Sequence, residues 1–349
     1  MAAILRSAAA LCQRTASSAF VYSRIAVKRD LLQARFSASN HRMLSTVSKV
    51  AKPQRSVLYL PGSNLKAIAK ARTLPADMIV MDLEDAVAPD AKVTARTQVL
   101  GSLAEGFKNH PVIVRANGLD TPWGVDDLKA LASAKGLHAI AIPKVEYGST
   151  LIKINEILTQ SGAPADLEVW CMIETPIGIF NLQEICSTGT SDAAGKRLSA
   201  LVMGTSDLTK DLRAKHTADR HPLLTSLQLT LLAARAYGLS CLDGVHLALD
   251  DAAQLQHHCR QAMEMGFDGK TLIHPKQISV ANEAFQPGAD EVAECQEIVA
   301  AYEAALARGA GVVVVRGRLI ENLHLDNARR ILQLHEAIVA REAALGPAA

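Results

Sequence analysis

Between Ser56 and Ile273 the chain sets down eight short apolar runs, each followed by a longer stretch with helical patterning. The runs are Ser56–Leu60, Met78–Leu83, Pro111–Ala116, His138–Pro143, Leu167–Ile173, Leu198–Met203, Ser240–Val245 and Gly269–Ile273. Alternating strand and helix implies parallel pairing with right-handed crossovers. Runs that stay apolar at successive positions imply a sheet covered on both faces. Eight such units within about 220 residues predict a (β/α)8 TIM barrel. A doubly wound open sheet is the competing arrangement. Its first turn usually carries a Gly-rich phosphate loop, and Tyr59-Leu60-Pro61-Gly62-Ser63-Asn64 is not G-x-G-x-x-G.

The ends of the runs favour the barrel further. They read Pro61-Gly62-Ser63-Asn64, Asp82-Leu83-Glu84-Asp85, Arg115-Ala116-Asn117-Gly118, Pro143-Lys144, Glu174, Ser206-Asp207, Asp243-Gly244 and His274-Pro275. Polar groups gather at one end of every strand, and in a barrel those ends form one mouth, where catalytic groups belong. Two of these ends share a plan. Val169–Ile173 runs into Glu174, where Thr175-Pro176 stops strand pairing because proline has no N–H. Leu201-Val202-Met203 runs into Gly204-Thr205-Ser206-Asp207. Carboxylates at consecutive strand ends can converge, so Glu174 and Asp207 are the candidate ligands of one divalent cation. Alone, each reads equally as a solvated loop acid, and Asp207 as a helix cap. Beyond the eighth run, Asp290–Ala307 reads as a helix, Gly309–Gly311 as a break, Val312–Val315 with Arg316-Gly317-Arg318 as a short strand and turn, and Glu321–Ala344 as a second helix. This extension from residue 286 to 349 exceeds what a barrel needs, so a lid or an oligomer contact is expected of it.

The first 49 residues differ from the rest. They hold eight Lys/Arg against one acid, Asp30, with Ser and Ala between. That is transit-peptide composition, and mitochondrial import to the matrix is expected. Of the chain's 37 basic and 35 acidic residues, the remaining stretch keeps 29 and 34, a net charge near −5. Its surface lacks the basic stripe with interleaved aromatics that nucleic acid needs. No apolar run approaches the ~18 residues of a membrane span. Five cysteines (Cys171, Cys186, Cys241, Cys259 and Cys295) lie scattered through the body with no C-x-x-C pair, and read as reduced core residues.

Seven motifs in order carry a family resemblance: Arg55–Pro61 (RSVLYLP), Met81–Val87 (MDLEDAV), Val114–Gly118 (VRANG), Ile142–Val145 (IPKV), Glu174–Gly178 (ETPIG), Gly204–Leu208 (GTSDL) and Ile273–Lys276 (IHPK). Together they resemble the citrate lyase β-subunit-like branch of the HpcH/HpaI aldolase family, over about residues 54 to 340. The resemblance implies a (β/α)8 barrel, Mg²⁺, acyl-CoA substrates, and homotrimers in which the C-terminal segment closes a neighbour's site. The implied reaction splits a citramalyl-CoA-type thioester into acetyl-CoA and pyruvate, reversibly, with malate synthase chemistry as a side activity. Glu174 and Asp207 match the metal ligands. Mg²⁺ takes one or two protein carboxylates and keeps open positions.

Arg115 closes the third strand, and a fixed donor fork there suits an enolate oxygen or a substrate carboxylate. Glu84 and Asp85 form a second acidic cluster, which either orders metal-bound water and orients Arg115 or makes a structural salt bridge. Tyr59, Lys66 and Lys70 match acyl-CoA contacts; without the resemblance the two lysines read as a solvated helix face. Ile273 and His274 match a substrate-contact segment, and a packing role for His274 is the stronger reading. Asp326 matches the lid carboxylate that exchanges a proton with the acetyl methyl; by itself it reads as a solvated helix residue. Lys144 invites a Schiff-base reading, which the metal pair makes unnecessary. A CoA-independent class II pyruvate aldolase and a non-catalytic barrel scaffold are the competing functions.

Overall fold

The computed structural model describes residues 52–345. The basic segment expected to direct mitochondrial import lies outside them. Eight parallel strands close into a barrel in chain order. They are β1 (Ser56–Pro61), β2 (Met78–Asp82), β3 (Val112–Arg115), β4 (Leu137–Ile142), β5 (Glu168–Ile173), β6 (Leu198–Met203), β7 (Ser240–Asp243) and β8 (Gly269–Leu272). β8 pairs back onto β1 and completes the ring. Every strand matches one of the eight apolar runs.

Alternation along each strand divides two cores. Inward positions (Val57, Met78, Val80, Ile113, Ala139, Ala141, Trp170, Met172, Ala200, Val202 and Leu242) fill the barrel. Outward positions such as Leu58, Ile79, Val114, Ile140, Cys171 and Leu201 pack under the helices. Trp170, 1 % exposed, is admitted because alanine flanks it on both sides: Ala141 stands opposite on β4 and Ala200 on β6. Large beside small is how a barrel interior reaches interior packing density. The five cysteines are free and buried. Among the described residues, no helix is long and apolar enough to cross a membrane.

The N-terminal end of the barrel is closed by a charged knot. Arg55 and Asp77 are each 1 % exposed and pair through two guanidinium nitrogens at 2.9 and 3.0 Å. After the helix Ile278–Phe285 the chain leaves the barrel as an arm: a helix Ala289–Ala307, a hairpin of β9 (Val313–Val315) and β10 (Arg318–Ile320), and a helix Asn322–Leu345. The arm has its own core, with Cys295, Ile298, Tyr302, Val315, Ile320, Leu325, Ala328 and Ile331 packed together. Its last turns return to the knot, where Arg341 donates to Asp77 Oδ1 (3.0 Å) and Glu342 accepts from Arg55 (3.0 Å).

Candidate active site

Strand register assembles the mouth. Asp82 and Arg115 are opposite each other at the ends of β2 and β3. Both project inward, so they meet as a two-pronged pair: Arg115 Nε to Asp82 Oδ1 at 2.7 Å and Nη2 to Oδ2 at 2.6 Å. The Asp82 oxygens also accept the backbone N–H groups of Glu84 and Ala86, both at 2.9 Å. Arg115 Nη1 lies 2.8 Å from Glu84 Oε2 and 3.5 Å from Asp85 Oδ2. The Glu84 contact is an ion pair without hydrogen-bond alignment, since Oε2 lacks an aligned donor. The guanidinium rests 5.2 Å from the Tyr59 ring centroid. Burial works against the Arg115 charge, but Asp82, then Tyr59 and Glu84, outweigh it and hold the side chain cationic. Burial pushes the Tyr59 hydroxyl well above its usual range, against the lowering effect of Arg115.

Across the mouth, Glu174 follows β5 and is 2 % exposed. Its Oε1 accepts the Lys144 N–H at 2.7 Å. Ile173 pairs with Met203, which brings Gly204 alongside Glu174. A Cβ at position 204 would stand 2.2 Å from Glu174 Oε2 and 2.3 Å from its Cβ, so only glycine leaves room for this carboxylate. Gly204 precedes the helix Thr205–Asp211, with Asp207 in its first turn. Burial, followed by the Glu84 charge, pushes the Glu174 carboxyl up to about 7. Burial likewise raises Glu84, against Arg115 and Lys144.

Lys144 connects the two acidic groups. Its Nζ is 2.9 Å from Glu84 Oε1 and 3.5 Å from Asp207 Oδ2. The carboxylates of Glu84, Glu174 and Asp207 raise its charge affinity above what burial takes away. No group of three or more His, Cys, Asp or Glu side chains among the described residues is arranged to hold a metal alone. The donors fit a small hard cation with open positions: two carboxylates at adjacent strand ends, with a cationic group already drawn to them.

Of the remaining expected residues, Tyr59 lines the mouth, while Lys66 and Lys70 stand exposed on the helix Leu65–Ala71 that follows β1. Ile273 is 39 % exposed, and its N–H is taken by Gln277 Oε1 at 3.0 Å. His274 Nδ1 accepts the Lys276 N–H at 3.1 Å and caps the turn Pro275–Gln277. Asp326 lies on the arm helix Asn322–Leu345, next to the arm's own core residue Leu325. It is exposed on the arm and accepts from Asn322 Nδ2 at 3.0 Å. Three groups escaped the reading of the sequence: Asp82 as the partner that fixes Arg115, Gly204 as the space for Glu174, and Lys144 as the bridge.

The profile of the HpcH/HpaI aldolase/citrate lyase family matches residues 55–275, the whole barrel. The chain belongs to that family. A (3S)-malyl-CoA thioesterase of Cereibacter sphaeroides is 46 % identical over 291 residues, covering 83 % of this chain and 97 % of the relative. The L-malyl-CoA/beta-methylmalyl-CoA lyase of the same organism is 32 % identical over 314 residues, covering 83 % and 97 %. Among solved structures, Mycobacterium tuberculosis CitE in complex with magnesium, acetoacetate and coenzyme A superposes with a TM-score of 0.65. It is 27 % identical and covers 82 % of this chain and 98 % of that one. Family membership therefore rests on the barrel that builds the mouth, and the CitE match extends past it into the C-terminal helices.

Proposed function

We propose that the chain is a Mg²⁺-dependent carbon–carbon lyase that cleaves (3S)-citramalyl-CoA to acetyl-CoA and pyruvate, reversibly. The observation that carries this reading is the mouth itself: Glu174 and Asp207 at adjacent strand ends, facing an Arg115 whose guanidinium is locked by Asp82. Magnesium in the CitE complex and malyl-type CoA thioesters in the relatives' names support it.

Glu174 and Asp207 would hold a hard cation, which would supply Lewis-acid stabilisation of oxygen charge on the pyruvate half. The chain's own groups have separate tasks. Arg115 has five N–H donors; three contacts to Asp82 and Glu84 fix its plane, and Nη2 keeps an N–H for the enolate oxygen or the substrate carboxylate. In cleavage the substrate hydroxyl gives its proton to solvent water, its oxygen becomes the pyruvate carbonyl, and the C–C bond breaks. The bonding pair moves onto the thioester as an enolate, and a carboxylic acid returns a proton to carbon. Asp326 is the candidate for that last step. Its helix is tied by Arg341 and Glu342 to the opposite end of the barrel, which supports a reading in which it acts from another copy of the chain, in a homotrimer. Lys66 and Lys70 would meet CoA phosphates. In the condensing direction the same groups would join acetyl-CoA to glyoxylate. The basic, acid-poor N-terminal composition supports a matrix location.

The 46 % identical thioesterase supports a second reading, hydrolysis of a malyl-type thioester. One assay separates them. Purified protein is given citramalyl-CoA, with and without EDTA, and pyruvate, acetyl-CoA and free CoA are measured. The lyase yields pyruvate and acetyl-CoA in equal amounts and stops with EDTA. Free CoA without pyruvate identifies a thioesterase, and EDTA-indifferent turnover sinks the metal assignment. Changing Lys66 and Lys70 to Ala should weaken CoA-thioester binding while sparing a CoA-independent aldolase.

A further inference from the structure

Lys144 has a backbone and a side chain with opposite degrees of freedom. Its φ of 51° lies in the left-handed region, uncommon for a residue with a Cβ. The conformation is held from both sides: its own N–H donates to Glu174 Oε1 (2.7 Å), and the next N–H, that of Val145, donates to Met172 O (3.3 Å). The Cα is thereby pinned against the Glu174 carboxylate. The side chain is 46 % exposed, and its four-carbon stem can swing outward. In the structure it turns inward, reaching Glu84 Oε1 (2.9 Å) and Asp207 Oδ2 (3.5 Å). A positive charge thus lies between two acids on opposite sides of the mouth, beside the oxygens assigned to the cation.

We propose that Lys144 is a resident counter-ion of the mouth, which neutralises the Glu84–Asp207 gap in the metal-free protein and must yield when a divalent cation binds. The inference rests on the metal reading above and adds a gating step to it. Without metal, the ammonium keeps the acids from repelling one another and holds the mouth in its assembled shape. When metal enters, the ammonium stands beside the Asp207 carboxylate that both cations would use, and beside a second positive charge. A like charge a few ångströms from an ion weakens its binding by roughly tenfold or more at the effective dielectric of a protein surface. The ammonium then swings to the rim, where an anionic substrate group would relieve the remaining repulsion. Metal and anionic substrate should therefore strengthen each other's binding by reciprocal linkage.

The test titrates EDTA-stripped full-length protein with MnCl₂ and MgCl₂ by calorimetry, alongside Lys144→Met, Lys144→Arg and Glu174→Gln. Lys144→Met keeps the stem without the charge and should bind metal about tenfold more tightly. Its melting temperature should be lower than wild type without metal and rise further on metal addition. Lys144→Arg should bind like wild type. A second measurement on the wild-type protein avoids any folding defect: reductive methylation of Lys144, followed by peptide mapping, should be faster with Mg²⁺ than without. If wild type binds metal, Glu174→Gln abolishes it, and Lys144→Met binds equally or more weakly, the counter-ion role is wrong and the metal site stands. If wild type binds no metal, or Glu174→Gln binds as wild type does, both readings fall. Methylation unchanged or slowed by Mg²⁺ also overturns the counter-ion role.

Discussion

Two residues that carry no catalytic chemistry set the geometry of the mouth. Gly204 is the first, because the Glu174 carboxylate occupies the volume a side chain would take. Gly204→Ala should displace Glu174, lowering lyase turnover by about a hundredfold or more, in line with small misplacements of reacting groups. It should weaken metal uptake in parallel while the melting curve stays cooperative; normal metal affinity in this variant would contradict the packing argument. Asp82 is the second. It is 1 % exposed and balances Arg115 through two hydrogen bonds. Removing one partner of a buried pair strands the other charge, at a cost of about 3–5 kcal/mol. Asp82→Asn should therefore lower both stability and turnover. Arg115→Lys keeps the charge but loses the planar fork, so its loss should be mostly in kcat, by about 10²-fold. A denaturant midpoint and a kcat/KM measurement on each variant separate the two patterns; equal stability losses would merge them and refute the distinction.

At the scale of elements, β7 and β8 are braced by a polar cluster outside the barrel. Asp243 accepts from Arg220 Nη1 at 2.7 Å and from Lys270 Nζ at 2.6 Å. His258 lies alongside, 7 % exposed, with its Nδ1 3.3 Å from that of His246. Burial first, then the charges of Arg220 and Lys270, push the His258 imidazole down to about 4. Burial and Lys270 also lower His246, against the opposite pull of Asp251. Between about pH 4 and 6.5 the unfolded chain binds the His258 proton and the folded chain does not. Stability is thus intact above about 6.5 and falls on acidification toward 4, by about 1–3 kcal/mol for this group. Urea midpoints at pH 7 and pH 5 should show a smaller acid loss in His258→Gln than in wild type, and identical losses would exclude His258 as the source. Elements were legible in the sequence: all eight apolar runs became strands, and the arm's two helices flank the Gly309–Gly311 break and the strand after it as expected, whereas β10, whose first residue Arg318 was read as turn, was not foreseen. The pairings between elements were less so. Asp82 was visible as a polar strand end, but both faces of β2 are apolar, so nothing in the run marked which positions point inward. The left-handed turn at Lys144 has no glycine to signal it, and the Glu84–Lys144–Asp207 contact spans three separate strand ends.

In the whole molecule the candidate residues fall on two parts with separate cores, the barrel and the arm. The barrel offers Glu174, Asp207 and Arg115 at its C-terminal end, whereas the arm is tied at the N-terminal end, through Arg341 and Glu342 to the Arg55–Asp77 knot. Asp326 is fifteen residues before Arg341 on one helix, about 22 Å along the axis at 1.5 Å per residue. Its neighbours are the arm's own residues, with Leu325 and Ala328 in the separate arm core. The arm also exposes an apolar face: Val314 is 63 % exposed, Leu319 55 % and Leu323 61 %. The barrel's mouth exposes another, with Phe180 89 %, Tyr147 46 % and Ile177 44 % exposed. A candidate proton-transfer group on an arm with its own core and an apolar face suits delivery to a second copy. That arrangement makes a sharp expectation for mixed assemblies. Asp326→Asn and Glu174→Gln should each be nearly inactive as pure proteins. If Asp326 serves its own mouth, mixing the two leaves every site defective. If it serves a neighbour's, sites that combine an intact mouth with an intact arm appear after subunit exchange. In a randomly mixed equimolar trimer one site in four has both, so activity should recover to about a quarter of wild type. The measurement is pyruvate release from citramalyl-CoA after co-expression of the two variants, with sedimentation to establish the assembly. Persistent inactivity in mixed assemblies that form normally would return Asp326 to the surface of its own helix.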